Sequence, residues 1–84
     1  MSEDELHHDE VARDIEQQIY GVTYTESEGS DVTRVDFRGE SIWFGKHKDN
    51  FINVYGNLSS NNFKAVKRCL KKYGDNVKND IKEI

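Results

Sequence analysis

The segment VTRVDFRGESIWFGKHKDNFINVYGN, residues 32–57, decides the fold of this chain. Its apolar residues recur with period two. Thr33, Val35 and Phe37 share one parity, while Val32, Arg34, Asp36 and Arg38 take the other. After the tight connection RGES, Ile42 and Phe44 point one way and Ser41, Trp43 and Gly45 the other. HKDN turns the chain again. Ile52 and Val54 then oppose Phe51, Asn53 and Tyr55. Alternation of this kind is the mark of a strand with one buried face, and short polar connections join such strands antiparallel.

Upstream, VTYTE at 22–26 alternates in the same way and is followed by the turn SEGS. Before it, Val11, Ala12, Ile15 and Ile19 form one apolar helical stripe that Gly21 ends. Ser2 and Glu5 fit a capping box, so a helix is expected from about 3 to 20. Downstream, Ser59 or Ser60 caps a second helix. Phe63, Val66, Cys69, Leu70 and Tyr73 make its apolar face, and Gly74 its end. In the tail, Val77, Ile81 and Ile84 keep helix-like spacing, which reads as a short third helix or a ragged end. The expectation is a two-layer α+β domain ordered α-β-β-β-β-α. A four-stranded antiparallel meander is flanked by an N-terminal and a C-terminal helix. One domain spans 1–84, with 1–5 and 76–84 frayed.

The totals agree with one small domain. A chain of 84 residues buries roughly 60–65% of the surface its unfolded form exposes, so the core is thin. It is 35% hydrophobic, 33% charged and 11% aromatic, enough large rings for one core. A single cysteine, Cys69, excludes an internal disulfide and a cysteine zinc site. On the apolar helix face it reads as packing. The beginning MSEDE has neither a basic nor an apolar region of the secretory kind, and no apolar run approaches a membrane span. An intracellular setting, cytoplasmic or nuclear, with no membrane partner, is expected.

Charge is divided along the chain. Residues 1–40 carry twelve acids and three arginines, a net −9; residues 41–84 carry nine bases and four acids, a net +5. The halves can face each other as solvated surface, or form an acidic arm and a basic face.

If the helices cover Val35, Phe37, Ile42, Phe44, Ile52 and Val54, period two leaves Arg34, Asp36, Arg38, Trp43, Phe51, Asn53 and Tyr55 on an open face. Rings and guanidiniums on an exposed sheet can stack bases and attract phosphates. Lys46, His47 and Lys48 lie in the neighbouring turn. Lys64, Lys67, Arg68 and Lys71 on the last helix could follow a phosphate backbone, or simply form a solvated helix face. Trp, Tyr and Arg also dominate protein interfaces. The first expectation is therefore a non-catalytic nucleic-acid or transcription-associated module. The alternative is a small protein-interaction module, an inhibitor or adaptor of the virus- or mobile-element-encoded kind. It would use the acidic N-terminal helix or the aromatic face, and a homodimer through that face is a further option.

Catalytic and cofactor signals are missing. There is no phosphate loop, dinucleotide fingerprint, nucleophile elbow or carboxylate pair. His7, His8, Asp9 and Glu10 are not expected to bind metal, because adjacent helical side chains point about 100° apart.

Residues 32–74 resemble, in outline, one repeat of the TATA-binding-protein fold. The likeness rests on INVYGNLSSNNFKAVKRCLKKYG, residues 52–74: a strand, Gly56, the capping Ser59, a basic helix and Gly74. It implies a curved sheet whose open face meets a partner, which in that family is the DNA minor groove. The chain holds one such repeat, so a full saddle would need two copies. The order is also similar to that of the double-stranded-RNA-binding domain. There Ser60, Asn61 and Asn62 stand where that family has lysines at its last helix.

Overall fold

The computed structural model describes residues 7–26, 32–47 and 49–84. Helix α1 (His8–Gln18) is followed by β1 (Val22–Glu26), β2 (Val32–Phe37), β3 (Glu40–Lys46) and β4 (Ile52–Leu58). Helix α2 (Ser60–Leu70) and a 3-10 turn (Lys71–Asn76) lead into β5 (Val77–Glu83). The five strands form one sheet in chain order. The first three pairings are antiparallel, and β4 pairs parallel with β5.

The expected meander is therefore present, but the sheet is five-stranded and mixed rather than four-stranded and antiparallel. The tail 76–84, expected to be frayed or a short third helix, supplies the fifth strand at Val77–Glu83. The reason is a shared period. Residues four apart lie on one face of both a helix and a strand, so Val77 and Ile81 fit either. Ile84 favours the helix in sequence, yet it is 78% exposed and contributes only its N–H, which donates to the Leu58 carbonyl at 2.9 Å. Parallel pairing needs a long crossover, and α2 with the 3-10 turn provides one.

The β2–β3 hairpin turns on Arg38 and Gly39, at φ 35° and 91°. Positive φ at both central residues is the type I′ geometry that suits the strand twist. Helix α1 starts at His8. Its N-cap is His7, whose Nδ1 accepts the Asp9 N–H at 3.1 Å while Glu10 accepts the His7 N–H at 3.1 Å. The expected Ser2–Glu5 box lies outside the described residues. At the start of α2, Ser59 holds the N-cap position but makes no side-chain cap. Glu40 does that work from β3, accepting from the Ser59 N–H and the Asn62 amide at 3.0 Å each. Those donors at the positive end of a helix hold the Glu40 carboxyl below its usual range.

Helix α1 packs on β1, β2 and β3, and α2 on β4 and β5. Val11, Ala12 and Ile15 meet Val35, Phe37, Ile42 and Phe44, while Val66 and Leu70 share the core with Ile52, Val54, Leu58, Val77 and Ile81. The helices lie on one side of the sheet, as pleat parity required. Among the described residues, no helix is long and apolar enough to cross a membrane.

One tie joins α1 to the 3-10 turn that follows α2. Asp14 of α1 accepts from Tyr73 at 2.7 Å and pairs with Lys72 at 2.7 Å. Burial alone would raise its carboxyl; the Lys72 ammonium and the Tyr73 hydroxyl outweigh that and hold it low. A depressed folded pKa gives stability that is present above the unfolded pKa and lost as pH falls through the folded one. Asp14→Asn is thus expected to cost about 1–2 kcal/mol at neutral pH. The gap to wild type should close below the carboxylate range in thermal melts taken across pH. A constant gap at every pH would mean that the charge is not what stabilises.

Candidate functional site

The side of the sheet away from the helices carries one continuous cross-strand row. Arg34 of β2 stands opposite Trp43 of β3, Trp43 opposite Tyr55 of β4, and Tyr55 opposite Asp80 of β5. The two rings lie nearly parallel, 6.0 Å apart at 17°. Tyr55 is 38% exposed and Trp43 is half-buried. A neighbouring row places Gly45, Asn53 and Lys78 side by side. Gly45 is buried there, and so is the Asn53 Oδ1, which has no hydrogen-bond partner among the described residues. An orphaned acceptor of this kind costs about 1–3 kcal/mol.

Charges of both signs frame the rings. The Arg34 guanidinium pairs with Asp36 at 3.2 Å, and the Ser41 hydroxyl donates to Asp36 at 2.7 Å. β5 adds Lys78, Asp80 and Lys82 to the same face. The sequence reading missed these three because it gave the tail no strand. Their signal was present: Lys78, Asp80 and Lys82 alternate with Val77 and Ile81 at the strand period.

Of the other expected contact residues, only Phe51 lies on this side of the sheet. Arg38 sits in the hairpin turn, where it lines a hollow of about 280 Å³ with Tyr20, Val22, Phe37 and Asn62. A two-residue turn takes its side chains out of the pleat. Phe51 keeps the parity of Asn53 and Tyr55: the His47 N–H donates to its carbonyl at 2.7 Å, and the two rings stack at 4.3 Å and 13° at the end of the open face, beside a hollow bounded by Gly74, Val77 and Lys78. Lys46 ends β3 with the parity of the core residues Ile42 and Phe44, and is exposed only because the sheet stops there. Lys48 lies outside the described residues. Lys64, Lys67, Arg68 and Lys71 line a hollow of about 260 Å³ on the outer side of α2. The sheet and the basic helix therefore face opposite ways, and one short ligand cannot lie on both.

His7, His8 and Asp9 come together more closely than expected, with possible ligand atoms within 4.8 Å of one another. The 100° separation does not apply, because His7 precedes the helix and its ring stacks on His8 at 4.4 Å. Each group already has structural work. His7 caps α1. The His8 Nδ1 lies 2.7 Å from the Thr33 hydroxyl, which donates to Asp9, and Asp9 also accepts from Tyr24 at 3.0 Å. These bonds pin α1 to β1 and β2. The Thr33 hydrogen bond, with the smaller help of Tyr24, holds the Asp9 carboxyl below its usual range against the cost of burial. A positive helix end also disfavours a cation. Cys69 is half-buried, and burial, aided by Asp14, pushes its thiol up and away from the reactive thiolate.

No family model matches the chain, and neither a curated protein nor a solved structure is detectably similar to it.

Proposed function

We propose that this chain is a non-catalytic protein-binding module whose contact surface is the open sheet face. The observation that supports this most is the Trp43–Tyr55 pair, set in the middle of a face that neither described helix covers and ringed by charges of both signs. Protein interfaces have that anatomy: aromatic residues at the centre, a polar rim, and a few anchors that carry most of the energy.

Nucleic acid on the same face is the second reading. Arg34 beside Trp43 favours it, and the outline shared with a TATA-binding-protein repeat points the same way. Against it, Arg34 is already paired with Asp36, and Asp80 borders Tyr55. A phosphate chain would meet a nearly balanced surface. Partner capture by the tagged full chain, with and without nuclease, separates the two. The protein reading expects capture to survive nuclease and to weaken by about 2 kcal/mol or more, roughly 30-fold, in Tyr55→Ala. Capture abolished by nuclease, with Trp43 fluorescence quenched by a single-stranded oligonucleotide, would transfer the face to the second reading.

A further inference from the structure

Lys64, Lys67, Arg68 and Lys71 occupy positions i, i+3, i+4 and i+7 of α2, which is one stripe along one side of a helix. The apolar stripe of the same helix, Phe63, Val66 and Leu70, turns toward the core. All four cations are exposed and border a single hollow of about 260 Å³. Like charges three and four residues apart repel, so the stripe strains the helix that bears it. The helix dipole offsets this for Lys67 and Arg68 in the last turn, but not for Lys64 near the start.

A chain with 16 acidic residues had the means to neutralise them. It does so next door, where Lys72 pairs with Asp14 at 2.7 Å, and on the sheet, where Arg34 pairs with Asp36. Among the described residues no carboxylate pairs with any of the four.

We infer that this stripe binds the phosphate backbone of a nucleic acid, on a surface separate from the sheet face and independent of its partner. Charge complementarity selects the occupant. The stripe spans about 10 Å along the helix at 1.5 Å per residue, the reach of a few successive phosphates. It contains no aromatic or aliphatic residue that would read bases or anchor a protein interface, whose centre is depleted in charge. Membrane-surface helices need an exposed apolar face, and the apolar face of α2 is buried. Recognition is therefore by charge and independent of sequence. Because the chain as a whole is at −4, the attraction is local and fades quickly with salt.

The test is fluorescence anisotropy of a labelled mixed-sequence DNA duplex titrated with the full chain. Four phosphate contacts give a log–log salt slope of about −3.6, a loss of roughly 150-fold between about 50 and about 200 mM salt. The double variant Lys67→Gln/Lys71→Gln should reduce the slope by about 1.8 units. Lys72→Gln, which removes a lysine already engaged by Asp14, should leave it unchanged. The circular dichroism of each variant checks that the fold is kept. No binding at low salt, a wild-type slope in the folded double variant, or equal affinity for phosphatidylserine vesicles would each overturn the assignment.

Discussion

Gly56→Ala is expected to remove about half of the chain's stability, roughly 2–6 kcal/mol. Gly56 lies in the middle of β4 at φ +138°, a backbone conformation that L side chains rarely adopt. A Cβ built there falls 2.6 Å from the Ser41 carbonyl oxygen and 2.9 Å from the Ile42 Cα. Both obstacles are backbone atoms of β3, the central strand, so no rotamer change relieves them. Backbone strain of about 1–3 kcal/mol adds to overpacking of about 1–3 kcal/mol. A domain of this length holds about 4–13 kcal/mol in all. Urea unfolding followed by Trp43 fluorescence measures the loss, since Trp43 adjoins the strained contact. A midpoint close to wild type would show that β3 and β4 part easily at this point.

Ending the chain after Asn76 is expected to be more damaging, although the sequence presents that tail as dispensable. The cut removes Val77 and Ile81, 8% and 7% exposed, each contributing about 1.5–3 kcal/mol of burial. It also removes the ladder from Ile52↔Val77 to Leu58↔Glu83 and lays bare the edge of β4 beside Ile52, Val54 and Leu58. A frayed tail would leave the melting transition and the amide dispersion of the remaining residues unchanged. Loss of the cooperative transition, with amide resonances collapsing toward random-coil positions, is the outcome the parallel strand requires.

The core was legible because burial imposes period. Val35, Phe37, Ile42, Phe44, Ile52 and Val54 could be placed inward from alternation alone, and all are buried. Once one parity was assigned to the helices, Arg34, Trp43, Asn53 and Tyr55 had nowhere to go but the far side. Parity failed where the pleat ends. Arg38 lies in the hairpin turn, whereas Phe51, paired with His47, keeps the outward parity. Lys46 has the inward parity but runs past the last core layer. The described helix begins at His8, after an extended His7, with Asp9 and Glu10 in its first turn; the Ser2–Glu5 box lies outside the described residues.

Residue pattern alone determined which side chains of β2, β3 and β4 share a face, that two amphipathic helices cover one side, and that a Trp–Tyr–Arg set is left on the other. These follow from local period, which each segment carries in itself. Tertiary structure decided the rest: that residues 77–83 close the sheet as a parallel strand and bring Lys78, Asp80 and Lys82 beside the rings, that Arg34 is neutralised by Asp36, and that the basic stripe of α2 faces away from the sheet. The closing of the sheet is a long-range pairing, which no segment carries in itself. A four-residue apolar spacing suits helix and strand equally, and only a free edge on β4 could choose between them.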